Sequence, residues 1–245
     1  MIGSIADTAR WVAHHRIAED PFAARLAGER GAAVARELHT GDALERTLRA
    51  RTRAIDSLLL EAIRAHDIDC VINLAAGLDA RPYRLDLPRP LRWVEIDLPA
   101  LLEEKSRLLD RDSAFCALES VSLDLTDRPA RRAFLSRIAT SARRSLVLTE
   151  GLLVYFDRGA VADLARDLSA QPTIGFWITD LVGPVLLRGM RRAWKRKLAG
   201  AGADLQFGPV EGAEFFRTYG WSKSYVRVSG PRPSREASFV LLERR

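Results

Sequence analysis

Cysteine, methionine and histidine are scarce in this chain: two, two and four in 245 residues. No window approaches the roughly 18 uncharged apolar residues that cross a bilayer as a helix, so no membrane span is expected. The opening residues carry Asp7 and Arg10 and no continuous apolar stretch, which argues against a secretory signal. Cys70 and Cys116 are too few for a disulfide framework or a zinc site, so no metal is expected and a cytoplasmic, reducing compartment is. Lysine is sparse as well. Lys105, Lys195, Lys197 and Lys223 are the whole set, and arginine makes up the rest of the 38 basic residues. Net charge is +6 and the isoelectric point about 9.8. These arginines are scattered among 32 acids, which speaks against a nucleic-acid-binding module. The run of Arg188, Arg191, Arg192, Lys195, Arg196 and Lys197 is the exception. A basic balance of this kind tolerates anionic small substrates well. Hydrophobic residues make up 47% and charged residues 29%, enough for a buried core and contrary to wholesale disorder.

No repeat, low-complexity segment or long linker divides the chain. Residues 1–66 read as helical. Thr8 to Arg16 is short and amphipathic, and Asp20-Pro21 has the form of an N-cap followed by proline at the first helical position. That helix is expected to run to about Arg30, break at Gly31, and resume to Leu38. Gly41-Asp42 opens another, in which Leu44, Leu48, Ile55, Leu58, Leu59 and Ile63 recur near a 3.6 spacing. The period then changes. Asp69–Ala75, Arg92–Asp97, Ala117–Leu123, Ser145–Thr149 and Thr173–Thr179 read as strands, separated by helices at Pro99–Leu109, Pro129–Ile138 and Arg158–Leu168. This alternation predicts βαβ units and an α/β fold with a parallel sheet covered on both faces. Lys223–Val228 and Ser238–Leu242 are expected to pair antiparallel at one edge, after a helical excursion from Pro184 to Tyr219. The division expected is a helical cap over 1–66 and a core over 67–245, with a substrate insertion at about 184–219.

Open parallel sheets take ligands at the carboxyl ends of their strands, and the residues there are distinctive. The first strand ends in Asn73-Leu74-Ala75-Ala76-Gly77-Leu78-Asp79-Ala80-Arg81, whose small residues let a ligand approach the backbone. A G-x-G-x-x-G phosphate cradle is missing, since only Gly77 is glycine. A nucleoside without bound phosphate therefore suits this loop better than NAD does. Asp97, about twenty residues on, can accept both ribose hydroxyls, or simply cap the next helix. Asp124-Leu125 stands where an adenine could be read, although Asp124 could equally cap the helix near Asp127. Glu150, in Thr149-Glu150-Gly151, is a carboxylate aimed into the cleft or a buried partner of an arginine. Arg51 and Arg53 precede the first strand on an amphipathic helix, where arginines are commonly solvated.

Together VINLAAGLDARPYRL, WVEIDLP, DL and LTEGLLVYF resemble the leucine carboxyl methyltransferase family, and most closely its bacterial branch of S-adenosylmethionine-dependent polyketide-type O-methyltransferases. TARWVA, DPFAARLAGERG, ARTRAID and FFRTYGW are similar to that branch as well, so the resemblance spans the chain. It implies a class I methyltransferase (Rossmann-like) fold: about seven mainly parallel strands, the last antiparallel. It implies S-adenosyl-L-methionine as cofactor, with Arg51 on its methionyl carboxylate and Glu150 on its ammonium. Ala75 and Gly77 would supply backbone near the methionine portion, Asp97 would hold the ribose, and Asp124 and Leu125 would frame the adenine. One departure is a shorter connection between TARWVA and DPFAARL than relatives carry; another is LAAG in place of LGAG.

The activity expected is methylation of a small acceptor, a carboxylate of polyketide-like or other secondary-metabolite type, or a hydroxyl. An ionised carboxylate needs no general base. That fits the placing of His14, His15, His39 and His66, none of them at a strand end. No catalytic side chain is singled out. Trp11, Trp177, Phe207, Phe215 and Phe216 are candidate walls for the acceptor. The alternatives are a methyltransferase for a protein C-terminus and an NAD-linked oxidoreductase.

Overall fold

A computed structural model describes residues 4–38, 42–198, 204–228 and 237–245. His39 and Gly41 fall outside them.

Two features of the sequence build the sheet. Residues of the central strands alternate between two apolar sets, and the helices carry apolar faces that cover them. Strands β1 (Cys70–Leu74), β2 (Arg92–Asp97), β3 (Ala117–Ser122), β4 (Ser145–Thr149) and β5 (Ile174–Val182) pair in parallel. Strand β7 (Ala237–Arg244) runs antiparallel to β5, and β6 (Trp221–Val228) antiparallel to β7 at the edge. The order is β3-β2-β1-β4-β5-β7-β6. It reverses between β1 and β4, and that crevice is where such sheets bind ligands.

The early helices are α1 (Ile5–His15), α2 (Ala23–Leu38) and α3 (Asp42–Ala65). The intervening ones are α4 (Arg81–Arg84), α5 (Pro99–Leu108), α6 (Arg128–Ala139) and α7 (Arg158–Ser169), with a 3-10 turn at Leu153–Tyr155. On one face Ile55, Leu58, Leu59 and Ile63 of α3 pack against Val71, Trp93, Leu146 and Ile178. On the other, Phe134 and Leu135 of α6 and Val161 and Leu164 of α7 meet Ile72 and Val147. Val71 and Ile72, or Leu146 and Val147, thus go to opposite faces, as a period of two requires.

The break in α2 is at Gly28, whose φ is 57°, and not at Gly31. Gly31 stays helical and is a contact point: a Cβ there would lie 2.7 Å from the Arg10 carbonyl oxygen of α1. Glycine at 31 therefore lets two helices touch backbone to backbone. The 184–219 excursion is helical in two pieces, α8 (Pro184–Leu198) and a 3-10 helix at Gly212–Tyr219, with irregular chain at 204–209 before the second. No helix among the described residues is long and apolar enough to cross a membrane.

Candidate functional site

Leaving β1, the chain must turn sharply beneath α1, and it does so with positive φ at both Ala75 and Gly77, 55° each. Gly77 suits that region, and a Cβ on it would sit 3.5 Å from the Ala9 side chain. Its N–H donates to Asp97 Oδ2 at 2.6 Å, while Leu98 N–H donates to Asp97 Oδ1 at 2.7 Å. Asp97 thus ties the β1 turn to the end of β2. It does not cap α5, whose N-cap is Leu98. Burial raises its carboxyl above the ordinary value, and the two N–H donors offset this in part. Ala75 is the strained member of the turn, since a Cβ in left-handed backbone costs about 1–2 kcal/mol. Ala75→Gly is expected to stabilise the chain by about 0.5–1 kcal/mol after glycine's entropy penalty. A urea or thermal melt checks it, and an unchanged or lower midpoint contradicts it.

At the end of β3 the N–H and hydroxyl of Thr126 both donate to Asp124 Oδ1, at 2.8 and 2.7 Å, which holds the Asp124 carboxyl below its ordinary value. Capping of α6 falls to Asp127, which accepts the Ala130 N–H. Leu125 is buried, and its carbonyl accepts from Arg131.

At the end of β4 three guanidinium groups converge on one carboxylate. Arg16 and Arg51 lie 2.7 and 3.0 Å from Glu150 Oε1, and Arg81 2.8 Å from Oε2. Burial alone would raise the Glu150 carboxyl; the guanidinium groups of Arg16, Arg81 and Arg51 outweigh it and hold the group well below its ordinary value. The pairing is ionic. Neither Glu150 oxygen has an in-line hydrogen bond, nor do Arg16 Nε and Arg51 Nε. Arg51 also donates to Asp180 Oδ2 at 3.0 Å, and Asp180 Oδ1 accepts the Gly151 N–H at 2.8 Å. Gly151 has φ 69°, with Arg51 3.7 Å from where its Cβ would be. Arg53, two residues along α3, turns outward to Glu19.

Arg51, Ala75, Gly77, Asp97, Asp124, Leu125 and Glu150 all line a single cavity of about 300 Å³. Arg16, Tyr155 and Asp180 line it too, none of which the strand-end pattern had picked out. Its far end is apolar, walled by Trp11, Leu48, Val182, Leu186, Met190 and Trp194. Of the expected aromatic walls only Trp11 is there. Trp177, Phe207, Phe215 and Phe216 pack edge to face in the core beneath the sheet, and the Trp177 indole donates to Thr149. His14, His15 and His66 lie outside the cavity lining.

Residues 2–169 match the leucine carboxyl methyltransferase family, and the chain belongs to it. The tetracenomycin polyketide synthesis O-methyltransferase TcmP of Streptomyces glaucescens is 29% identical over 153 residues, 62% of this chain and 53% of that protein. The chain spans about half the length of the curated relatives it matches. Among solved structures, a DUF574 family protein from Streptomyces avermitilis superimposes with a TM-score of 0.69 over 97% of both chains, at 16% identity. The magnesium protoporphyrin IX methyltransferase of Synechocystis, solved with bound S-adenosylhomocysteine, gives 0.54 at 11% identity, covering 86% of this chain and 92% of that one. These likenesses go with a class I methyltransferase fold, which this chain forms with its mostly parallel seven-stranded sheet.

Proposed function

We propose that the cavity binds S-adenosyl-L-methionine and that the protein transfers its methyl group to the carboxylate of a small, largely apolar acceptor. The observation that supports this most is the opposition of a Glu150 carboxylate and the Arg16 and Arg51 guanidinium groups in one enclosure, paired by charge but without in-line hydrogen bonds at Arg16 Nε and Arg51 Nε. An amino-acid zwitterion, and not a phosphate, has the groups to meet both. Arg51 would take the methionyl carboxylate, for which its planar fork is suited, and Glu150 the ammonium. Ala75 and Gly77 would offer backbone, Asp97 the ribose site, and Asp124 with Leu125 the adenine site. Bound there, the cofactor supplies a methyl group on a positive sulfonium, activated for in-line displacement.

The chain's own work is then positioning, which can contribute about 7–11 kcal/mol to such a step. Among the described residues no cavity carboxylate is left free to act as a base. Glu150 is held ionised by arginines, Asp97 and Asp124 are engaged by backbone and Thr126, Asp180 is engaged by Arg51 and the Gly151 N–H, and burial pushes the Tyr155 phenol up. An acceptor that arrives already ionised needs none, which favours a carboxylate over a hydroxyl. The wall of Trp11, Leu186, Met190 and Trp194 suits a bulky apolar or aromatic acid. It also favours a free small molecule over a protein C-terminus. An NAD-linked reaction has no glycine-rich cradle to serve it.

Calorimetry with S-adenosylhomocysteine tests the reading. The protein is expected to bind it and to ignore NAD, and Arg51→Ala is expected to weaken binding at least tenfold, about 1.4 kcal/mol. Unchanged affinity in the folded variant overturns the role given to Arg51. Product mass spectrometry with an acid library then names the acceptor.

A further inference from the structure

Arg16 stands one residue past α1, in the short connection to α2. Its backbone N–H closes the helix on Ala13, and its carbonyl accepts the N–H groups of Glu19 and Asp20. Its side chain is 8% exposed, lines the cavity and reaches Glu150. The three guanidinium groups around Glu150 are unequally held. Arg81 is fully enclosed and donates to Asp56 at 2.6 Å and Asp79 at 2.7 Å. Arg51 is shared with Asp180. Arg16 has Glu150 as its one ion-pair partner among the described residues, and its buried Nε has no hydrogen bond. Both Glu150 oxygens are covered. An ammonium can therefore reach that carboxylate only by replacing a guanidinium, and Arg16 is the one with least to lose.

We propose that Arg16 is a displaceable counter-ion: it occupies the ammonium's place on Glu150 and, on binding of the methionyl zwitterion, turns to the ligand carboxylate beside Arg51. This rests on the cofactor reading above. The exchange leaves no buried charge unpaired. Glu150 trades a guanidinium for an ammonium, and Arg16 trades one carboxylate for another, which avoids the cost of an isolated ion in a dry site. Arg16 thereby becomes a binding residue contributed by the N-terminal helices. Because α1 also supplies Thr8, Ala9, Trp11 and Val12 to the cavity wall, the swap ties the seating of those helices to occupancy.

The test compares S-adenosylhomocysteine with its decarboxylated analogue, which keeps the ammonium and lacks the carboxylate, by calorimetry on wild type, Arg16→Gln and Arg16→Lys. Arg16→Gln is expected to lose at least tenfold in affinity for S-adenosylhomocysteine. The analogue is expected to bind it as well as, or better than, wild type, because Arg16, the most weakly held of the three guanidinium groups, no longer competes for Glu150. Arg16→Lys should retain part of the preference. Equal losses for both ligands would make Arg16 a structural residue and overturn the proposal, as would unchanged affinity for S-adenosylhomocysteine. If Arg16→Gln fails to fold, the ratio measured on Arg16→Lys decides: a reduced preference supports the exchange and an unchanged one refutes it. A wild type that binds neither ligand instead refutes the cofactor reading on which the proposal stands.

Discussion

Replacing Arg81 by Met is expected to lower the free energy of unfolding by about 3–5 kcal/mol at neutral pH, the usual cost of removing one member of a buried ionic cluster. Arg81 has no exposed surface and meets Asp56, Asp79 and Glu150 at 2.6, 2.7 and 2.8 Å. Methionine fills similar volume, so the loss measures charge and not a cavity. The pH dependence has a definite sign. Burial would raise the Asp79 carboxyl, but Arg81, Arg16 and Lys105 outweigh it and leave it at about 2, below its ordinary 3.8. A depressed carboxyl contributes stability that is complete above its unfolded value and lost as pH falls through its folded one. In wild type that support fades from about pH 4 toward pH 2. Without Arg81, burial prevails and the carboxyls move up, so the variant gains relative to wild type as protons are added. Urea midpoints at pH 7 and pH 4 check both parts. The gap between the two proteins should narrow at pH 4. A loss below about 1 kcal/mol at pH 7, or a gap that widens on acidification, counts against this account of the cluster.

The second large effect concerns Asp97→Ala, expected to reduce affinity for S-adenosylhomocysteine about a hundredfold, about 2.7 kcal/mol. Hydrogen bonds to a charged acceptor contribute about 1.5–3 kcal/mol each, and a ribose diol offers two. The substitution also releases the Gly77 and Leu98 N–H groups, so the turn that carries Ala75 and Gly77 loses its anchor on β2. A modest drop in stability should accompany the loss. The informative comparison is affinity at a temperature well below the variant's melting point. Affinity within threefold of wild type there would show that Asp97 only holds the turn.

The ends of β2 and β4 were readable because an acid stands where an apolar run stops, at Asp97 and Glu150. Four of the five parallel strands fall within about two residues of their expected bounds. The fifth reads as ending at Thr179, but β5 continues to Val182, and Asp180 therefore went unnoticed as the second partner of Arg51. Its flanking residues Leu181 and Val182 are the signal that could have extended it. Arg16 and Arg81 were hidden by abundance. Among so many arginines little that is local marks these two as buried: Arg16 depends on Glu150, and Arg81, besides its neighbour Asp79, on the distant Asp56 and Glu150. The acceptor wall was misjudged on a related ground. An aromatic residue in a strand buried on both faces carries no mark of which side it faces, and Trp177 faces the core with Phe216 and Trp221.

The two ends of the cavity are built from different parts of the fold. Turns after β1 through β4, with Arg16 and Arg51 reaching in from the N-terminal helices, shape the polar end; Trp11 of α1, Leu48 of α3 and Leu186, Met190 and Trp194 of α8 shape the apolar one, where Trp11 and Trp194 meet edge to face at 5.4 Å. Exchanging Met190 or Leu186 for a larger or smaller side chain would reshape the chamber while leaving the sheet and its turns as they are. On the function proposed above, a scaffold divided in this way could be retooled for a new acceptor by changes in that chamber alone, with the turns proposed to hold the nucleoside left as they are.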